Sequence, residues 1–230
     1  MRFVELFGGI GGFSLAMQRE GFKCVGYYEI DKYAVQTYNK NFGTIHEPKD
    51  IREVKADDIP DHEILCGGFP CQSFSIAGKR MGFEDTRGTL FFEIARIAKI
   101  KRPHIIFLEN VKGLLSHDRG RTFATILATL DELGYNAEWQ VLNSKYFGVP
   151  QNRERVFIIG HIRGTSGRQV FPIQETNIKD SESQRGNNKI TSTGQNLQSE
   201  RRYTQSTSRD TWFNPSSDED RGIKVIDARN

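Results

Sequence analysis

Cys71 lies in Gly67-Gly68-Phe69-Pro70-Cys71-Gln72-Ser73-Phe74-Ser75, a loop that follows the apolar run Glu63-Ile64-Leu65-Cys66. Pro70 fixes φ and withdraws a backbone donor, so the thiol is expected on a stiff, non-helical platform where a buried strand ends. That edge of an open parallel sheet is where ligands bind, which makes Cys71 a candidate nucleophile. A free thiol with a pKa of about 8.5 is only about a few per cent thiolate at neutral pH, so the role asks for an activating neighbour. Glu109 closes the apolar run of residues 103–108, expected to form a neighbouring strand. Arg153 and Arg155 are two apart at a strand entry, so they share one face, and a cation there would lower the thiol pKa. Cys24 and Cys66 fall inside strand patterns and read as buried apolar thiols.

A second chemical feature is Gly8-Gly9-Ile10-Gly11-Gly12, between a strand pattern and a helix pattern. Such a turn lets a ligand approach the backbone and a helix N-terminus. It has no Gly-Lys-Ser/Thr, and Ser14 stands where a dinucleotide fingerprint would place its third glycine. A pyrophosphate is therefore disfavoured. Glu29, ending the second strand pattern, is placed to accept from ribose hydroxyls, so a nucleoside without pyrophosphate fits, S-adenosylmethionine being the first candidate. A plain tight turn is the other reading of these glycines.

The elements that would position these groups alternate. Strands are expected at residues 2–7, 22–28, around Ile64, 103–108, 137–142 and 155–161, and helices at 14–20, 32–40, 89–100 and 121–133. Gly21 and Gly134 are suited to stop two of the helices. A possible small strand precedes Asp50-Ile51. Alternation predicts an α/β fold with a doubly wound, mostly parallel sheet. Beyond about Gly164 the chain turns polar, without sustained periodicity, until a strand-like pattern at 222–227.

The 230 residues are 37% hydrophobic and 27% charged, with a formal net charge of +3, which suits one globular domain plus an extra segment. Mild basicity permits nucleic-acid binding without requiring it. Three cysteines without a CxxC pair argue against a disulfide framework and a structural zinc site, and no metal is expected. The absence of a signal peptide pattern and of a long apolar run predicts a cytoplasmic protein that does not enter a membrane.

Taken together, Phe7-Gly8-Gly9-Ile10-Gly11-Gly12, Tyr28-Glu29-Ile30-Asp31, the Pro70-Cys71 loop, Gly82-Phe83-Glu84-Asp85-Thr86-Arg87-Gly88, Glu109-Asn110-Val111 and Gln151-Asn152-Arg153-Glu154-Arg155 are co-linear motifs. In that order and spacing the chain resembles the cytosine-C5 DNA methyltransferases, densely over residues 1–162. The resemblance implies the S-adenosylmethionine-dependent methyltransferase fold. It implies that Cys71 adds to C6 of a cytosine flipped out of duplex DNA, making C5 reactive towards the methyl donor. Glu109 would contact N3 and the exocyclic amine, Arg155 the base, with Arg153 in support, and Asn110 would orient the Pro70-Cys71 loop. Phe7, Ile10, Gly11, Glu29, Ile30, Asp50, Ile51, Pro70 and Leu90 would hold the cofactor. The segment 75–88 would close over the DNA, with Ser75, Lys79, Arg80 and Arg87 as contacts. The setting implied is a bacterial or phage modification system.

Family members continue further, through the rest of a recognition region, a Gly-Asn-Ser type motif and a last helix, none of which this sequence contains. Residues 1–163 are thus expected to be the catalytic, cofactor-binding domain and 164–230 the start of an incomplete recognition region. Either a second polypeptide supplies the rest, or the chain is a truncated form that binds cofactor or DNA. An RNA cytosine-C5 methyltransferase of the same fold is the neighbouring alternative.

Overall fold

A computed structural model describes residues 1–70, 90–165 and 168–174, and the backbone of 226–227. Its strands are β1 (Arg2–Leu6), β2 (Lys23–Tyr28), β3 (Ile64–Gly68), β4 (Ile105–Val111), β5 (Tyr135–Asn143), β6 (Glu154–Ile162) and β7 (Ile226–Asp227), and its helices α1 (Gly12–Arg19), α2 (Lys32–Phe42), α3 (Leu90–Lys101) and α4 (Arg121–Glu132). One sheet runs in the order β2-β1-β3-β4-β6-β5-β7. β2, β1, β3 and β4 pair in parallel, and β6 is antiparallel to both its neighbours. The expected doubly wound, mostly parallel α/β sheet is thus present, with one reversed strand.

The chain leaves β1 towards β2 and returns across β1 to β3, so the winding reverses between β1 and β3. Ligand crevices open at the carboxyl ends of strands flanking such a switch point. The glycine turn leaves β1 there, and Pro70 leaves β3 there.

Period two in β4 sets which way its groups face. Ile106, Leu108 and Asn110 are buried, while Ile105, Phe107 and Glu109 are half-buried on the opposite side. Leu65, Ile106, Leu108, Val156 and Ile158 join Ile94 and Ile97 of α3 and Ile126 and Leu130 of α4 in one large core. Truncating a fully buried leucine such as Leu108 to alanine would cost about 2–5 kcal/mol. On the other face Phe3, Ile64 and Cys66 pack with Met17 of α1, and Phe13 meets Phe107 edge-on at 5.1 Å. Among the described residues no helix is long and apolar enough to cross a membrane.

Several boundaries differ from expectation. Strand β1 stops at Leu6 because Phe7 turns left-handed, at φ 54°. Strand β4 runs on through Glu109 and Asn110, since β6 pairs with it to Val111. No strand precedes Asp50; the chain there is irregular and enters a 3-10 turn, Ile51–Glu53, capped by the Asp50 carboxylate. Of the expected strand at 222–227 only Ile226–Asp227 is described, beside Glu138 and Trp139 of β5.

Candidate active site

At the β3–β4 end the backbone makes room for one carboxylate. Gly67 passes so close to β1 that a Cβ would sit 2.5 Å from the Leu6 carbonyl oxygen. A Cβ on Gly68 would lie 3.0 Å from Glu109 Oε2. Glycines here let β3 approach β1 and leave space for Glu109. Next in the chain, buried Phe69 packs on Phe91, and its carbonyl accepts from Asn110 Nδ2 at 2.7 Å. Asn110 thereby fixes the residue before Pro70. Cys71 itself, with Ser75, Lys79, Arg80 and Arg87, lies outside the described residues.

Glu109 and Arg155 meet diagonally across the β4–β6 ladder, where Val111 is opposite Arg155 and Glu109 opposite Phe157. Arg155 Nε donates to Glu109 Oε1 at 2.8 Å, with both side chains about one-fifth to one-quarter exposed. Arg153 reaches the same oxygen at 4.0 Å and is half exposed. The bend before β6 is held by its neighbours: Asn143 Oδ1 accepts from Arg153 N at 3.2 Å, and Ser144 Oγ donates to the Gln151 carbonyl at 2.6 Å. Both expected arginines therefore converge on the expected glutamate, Arg155 directly and Arg153 at the limit of contact.

The β1–β2 end is built differently. Helix α1 has no side-chain cap of its own, since its N-cap is Gly11. Glu5 of β1 substitutes: its Oε2 accepts from Ser14 N at 3.2 Å and from the Ser14 hydroxyl. Glu5 is 1% exposed, and burial pushes its carboxyl up to about 7, with the Ser14 contacts opposing the rise. Its Oε1 finds no hydrogen-bond partner among the described residues. Because a carboxylate already fills the helix N-terminus, a phosphate has no place there. Glu29 clamps the turn from the other side. Its Oε2 accepts from Gly9 N at 2.9 Å, and its Oε1 accepts from Ile30 N and Asp31 N at 2.8 and 2.9 Å. Tyr27 hydroxyl donates to the Gly9 carbonyl at 2.6 Å. Gly8 and Gly11 are pressed on aromatic rings, where added Cβ atoms would fall 2.5 Å from Tyr27 and 2.4 Å from Phe42.

Beside this turn opens a cleft of about 220 Å³ lined by Phe7, Tyr28, Glu29, Ile30, Lys49, Asp50, Ile51, Arg52 and Leu90. Apolar side chains from four chain segments make its walls, and Glu29 and Asp50 supply acceptors. Those walls and acceptors fit an aromatic base and ribose diol, and the cleft lacks the free helix N-terminus a pyrophosphate needs. Six of the residues expected at the cofactor line the cleft: Phe7, Glu29, Ile30, Asp50, Ile51 and Leu90. Ile10, Gly11 and Pro70 do not. Ile10 is 62% exposed, and Gly11 is occupied in packing against Phe42. Tyr28, Lys49 and Arg52 were not anticipated. Tyr28 ends β2 beside Glu29, at the carboxyl end where a crevice is expected, and that is the signal that could have found it. Arg96 is also missed: from α3 its Nη2 donates to the Ile51 and Val54 carbonyls at 3.2 and 2.8 Å, tying the cleft floor to α3.

The family model for C-5 cytosine-specific DNA methylases matches residues 1–223. The type II methyltransferase M1.ScrFI of Lactococcus lactis subsp. cremoris is 57% identical over 164 residues, covering 70% of this chain and 42% of that protein. The type II methyltransferase M.HhaI of Haemophilus parahaemolyticus is 52% identical over 159 residues, covering 69% and 48%. The chain spans about half the length of the curated relatives it matches. Among solved structures, a putative DNA modification methyltransferase from an Escherichia coli prophage superposes with a TM-score of 0.62 at 23% identity, covering 92% of this chain and 63% of that one. A DNMT2 protein of Spodoptera frugiperda gives 0.60 at 22% identity, covering 76% and 54%. These two likenesses concern the fold; on the family model and the curated relatives, the chain belongs to the C-5 cytosine-specific DNA methylase family.

Proposed function

We propose that the chain transfers a methyl group from S-adenosylmethionine to C5 of a cytosine flipped out of duplex DNA, in the cytoplasm of a bacterial or phage-infected cell. The observation that carries this reading is the Glu109–Arg155 pair at the carboxyl end of β4, one strand from the loop that starts at Pro70. Bound in the cleft, the cofactor supplies an electrophilic methyl group. Phe7, Ile30, Ile51 and Leu90 would enclose its base, Glu29 would take a ribose hydroxyl on its open acceptor position, and Asp50 would meet the base edge. The Cys71 thiolate adds to C6, and the electron pair this delivers to C5 takes the methyl as the methyl–sulfur bond of the donor breaks and its pair returns to sulfur. The C5 proton then passes to solvent, its bonding pair restores the C5–C6 double bond as the C6–S bond breaks, N3 returns its proton to Glu109, and Cys71 leaves as the thiolate. The Glu109 carboxyl accepts from the exocyclic amine and hands a proton to N3 as the thiolate adds, and Arg155 holds that carboxyl in place. Arg153 and Arg155 add positive charge where the thiolate forms. Because the target atoms lie inside the duplex, the base must leave the stack and the site must close, a task assigned to residues 75–88 with Ser75, Lys79, Arg80 and Arg87 on the DNA.

In this proposal residues 1–163 form the catalytic domain and 164–230 begin the DNA-reading region. It includes as partner a polypeptide supplying the length the relatives carry beyond the match; methyl transfer by the purified chain alone would strike that partner from it. Duplex DNA containing 5-fluorocytosine tests the chemistry, because fluorine cannot leave C5 as a proton does. With cofactor present, a denaturant-resistant protein–DNA adduct is expected from the wild type and none from Cys71→Ser. An adduct that survives the substitution, or its absence from the wild type supplied with the partner, overturns the proposal.

A further inference from the structure

The cleft contains two carboxylates with opposite kinds of partner. Glu29 accepts three backbone N–H groups, from Gly9 of the glycine turn and from Ile30 and Asp31 just after β2, none of which depends on a side chain. A carboxylate offers about four acceptor positions, so Glu29 keeps one on Oε2. Asp50 keeps none. Its Oδ1 accepts from Arg52 N and Arg52 Nε, both at 3.0 Å, and its Oδ2 accepts from Nε at 2.9 Å and from Nη2. Three of these four contacts come from one side chain, which is 63% exposed while Asp50 is 16% exposed. Arg52 also lines the cleft beside Lys49. The guanidinium holds the Asp50 carboxyl below its ordinary range, so at neutral pH the group can accept and cannot donate.

We infer that Arg52 sets the base selectivity of the cleft by competing for Asp50. The inference rests on the reading of the cleft as a nucleoside site. A base with an exocyclic amine at its edge needs Asp50 as acceptor, and both oxygens are filled, so it binds by displacing the guanidinium. A base with a carbonyl at the same position accepts from the guanidinium and displaces nothing. Arg52 therefore weakens the amine-bearing ligand, supports its deaminated counterpart, and narrows the gap between them. The pair is bidentate, but its guanidinium is 63% exposed, which bounds the shift at about fivefold for the amine-bearing ligand.

Calorimetric titration of S-adenosylhomocysteine and of S-inosylhomocysteine into the full chain tests this. In Arg52→Ala the first is expected to bind up to about fivefold more tightly and the second more weakly, so that their affinity ratio widens. Arg52→Lys, which keeps the charge and loses the fork, is expected to fall between the two. Thermal melts establish that both variants fold. A ratio unchanged or reduced in Arg52→Ala, with the wild type binding both ligands, overturns the inference and leaves the nucleoside site standing. A wild type that binds neither ligand overturns the nucleoside site and the inference with it.

Discussion

Glu29 and Glu109 both stand at carboxyl ends of parallel strands, yet one is held by the backbone and the other by side chains. Glu29 is fixed by three N–H groups of the glycine turn and of the chain that follows it. Its position follows from backbone donors rather than from neighbouring side chains. Glu109 is held by Arg155 at 2.8 Å and approached by Arg153 at 4.0 Å, both of them partly solvated. Such contacts can be traded for a ligand without moving a strand. The difference matches the two tasks proposed: a cofactor site that keeps one shape, and a base site whose groups change partners during the reaction.

The largest effect that could break this comparison is at Glu109. Glu109→Gln keeps the volume and removes the charge that Arg155 faces. Adduct formation with 5-fluorocytosine duplex is expected to slow by about 10²–10⁴-fold, the range for losing a positioned proton-handling group. The fold should persist, because the side chain is partly exposed. A slowdown below about tenfold would mean that Glu109 is a structural partner of Arg155 and no more.

Glu5 tests the amide-held side. In the unfolded chain it ionises near its ordinary value of 4.5, whereas burial in the folded protein delays ionisation to about 7. The protonated form is therefore favoured by folding. Its contribution is fully present below pH 4.5, declines as pH rises, and is lost above about 7; the span corresponds to about 3 kcal/mol. Glu5→Gln keeps an acceptor for Ser14 and cannot ionise. In urea unfolding, the stability of the variant relative to the wild type should increase from pH 4.5 to pH 8. A difference that does not vary with pH would show that the Glu5 carboxylate is as well solvated folded as unfolded.

Much of this layout was legible from residue order. Strand–turn–helix alternation located α1 to α4 and six strands because each has a strong apolar period, and the two-residue spacing of Arg153 and Arg155 put them on one face. Less legible was whatever depends on pairing between distant segments. Strand β4 runs past Leu108 because β6 supplies a ladder for the polar Glu109 and Asn110, which no local propensity reveals. Arg96 ties Ile51 and Val54 to α3 through two carbonyls 45 and 42 residues away in sequence. The cap of α1 was invisible for the same reason: the sequence offers Gly11, and the carboxylate comes from the preceding strand.

Asn110 gives the next effect. It is 3% exposed and its amide joins β4 to the Phe69 carbonyl, next to Pro70. Asn110→Ala leaves that carbonyl without this donor and is expected to cost about 1–3 kcal/mol in urea unfolding. If the contact also aims the cysteine loop, adduct formation should slow by more than the lost folded fraction accounts for. Asn110→Asp cannot donate in its ionised form, so it should resemble the alanine variant in adduct rate. An Asp variant with wild-type rates would remove Asn110 from the positioning of the loop.

The smallest effect is expected at Lys112, which completes the contrast from the solvent side. Its Nζ contacts both oxygens of Glu154 at 2.9 and 3.1 Å, a geometry as close as that of Arg155 on Glu109. The side chains of that pair are 56% and 44% exposed, against 21% and 24% for Arg155 and Glu109. Water screens the first pair far more than the second, so distance alone misstates its strength. Lys112→Ala should change stability by less than about 1 kcal/mol. It should also leave the 5-fluorocytosine adduct rate on a short, saturating duplex within about twofold of wild type, the factor that about 0.4 kcal/mol would produce. A larger loss of rate at high salt as well as low would place Lys112 in the site through its hold on Glu154, between the two arginines. A loss confined to low salt would instead mark a phosphate contact, which screening abolishes.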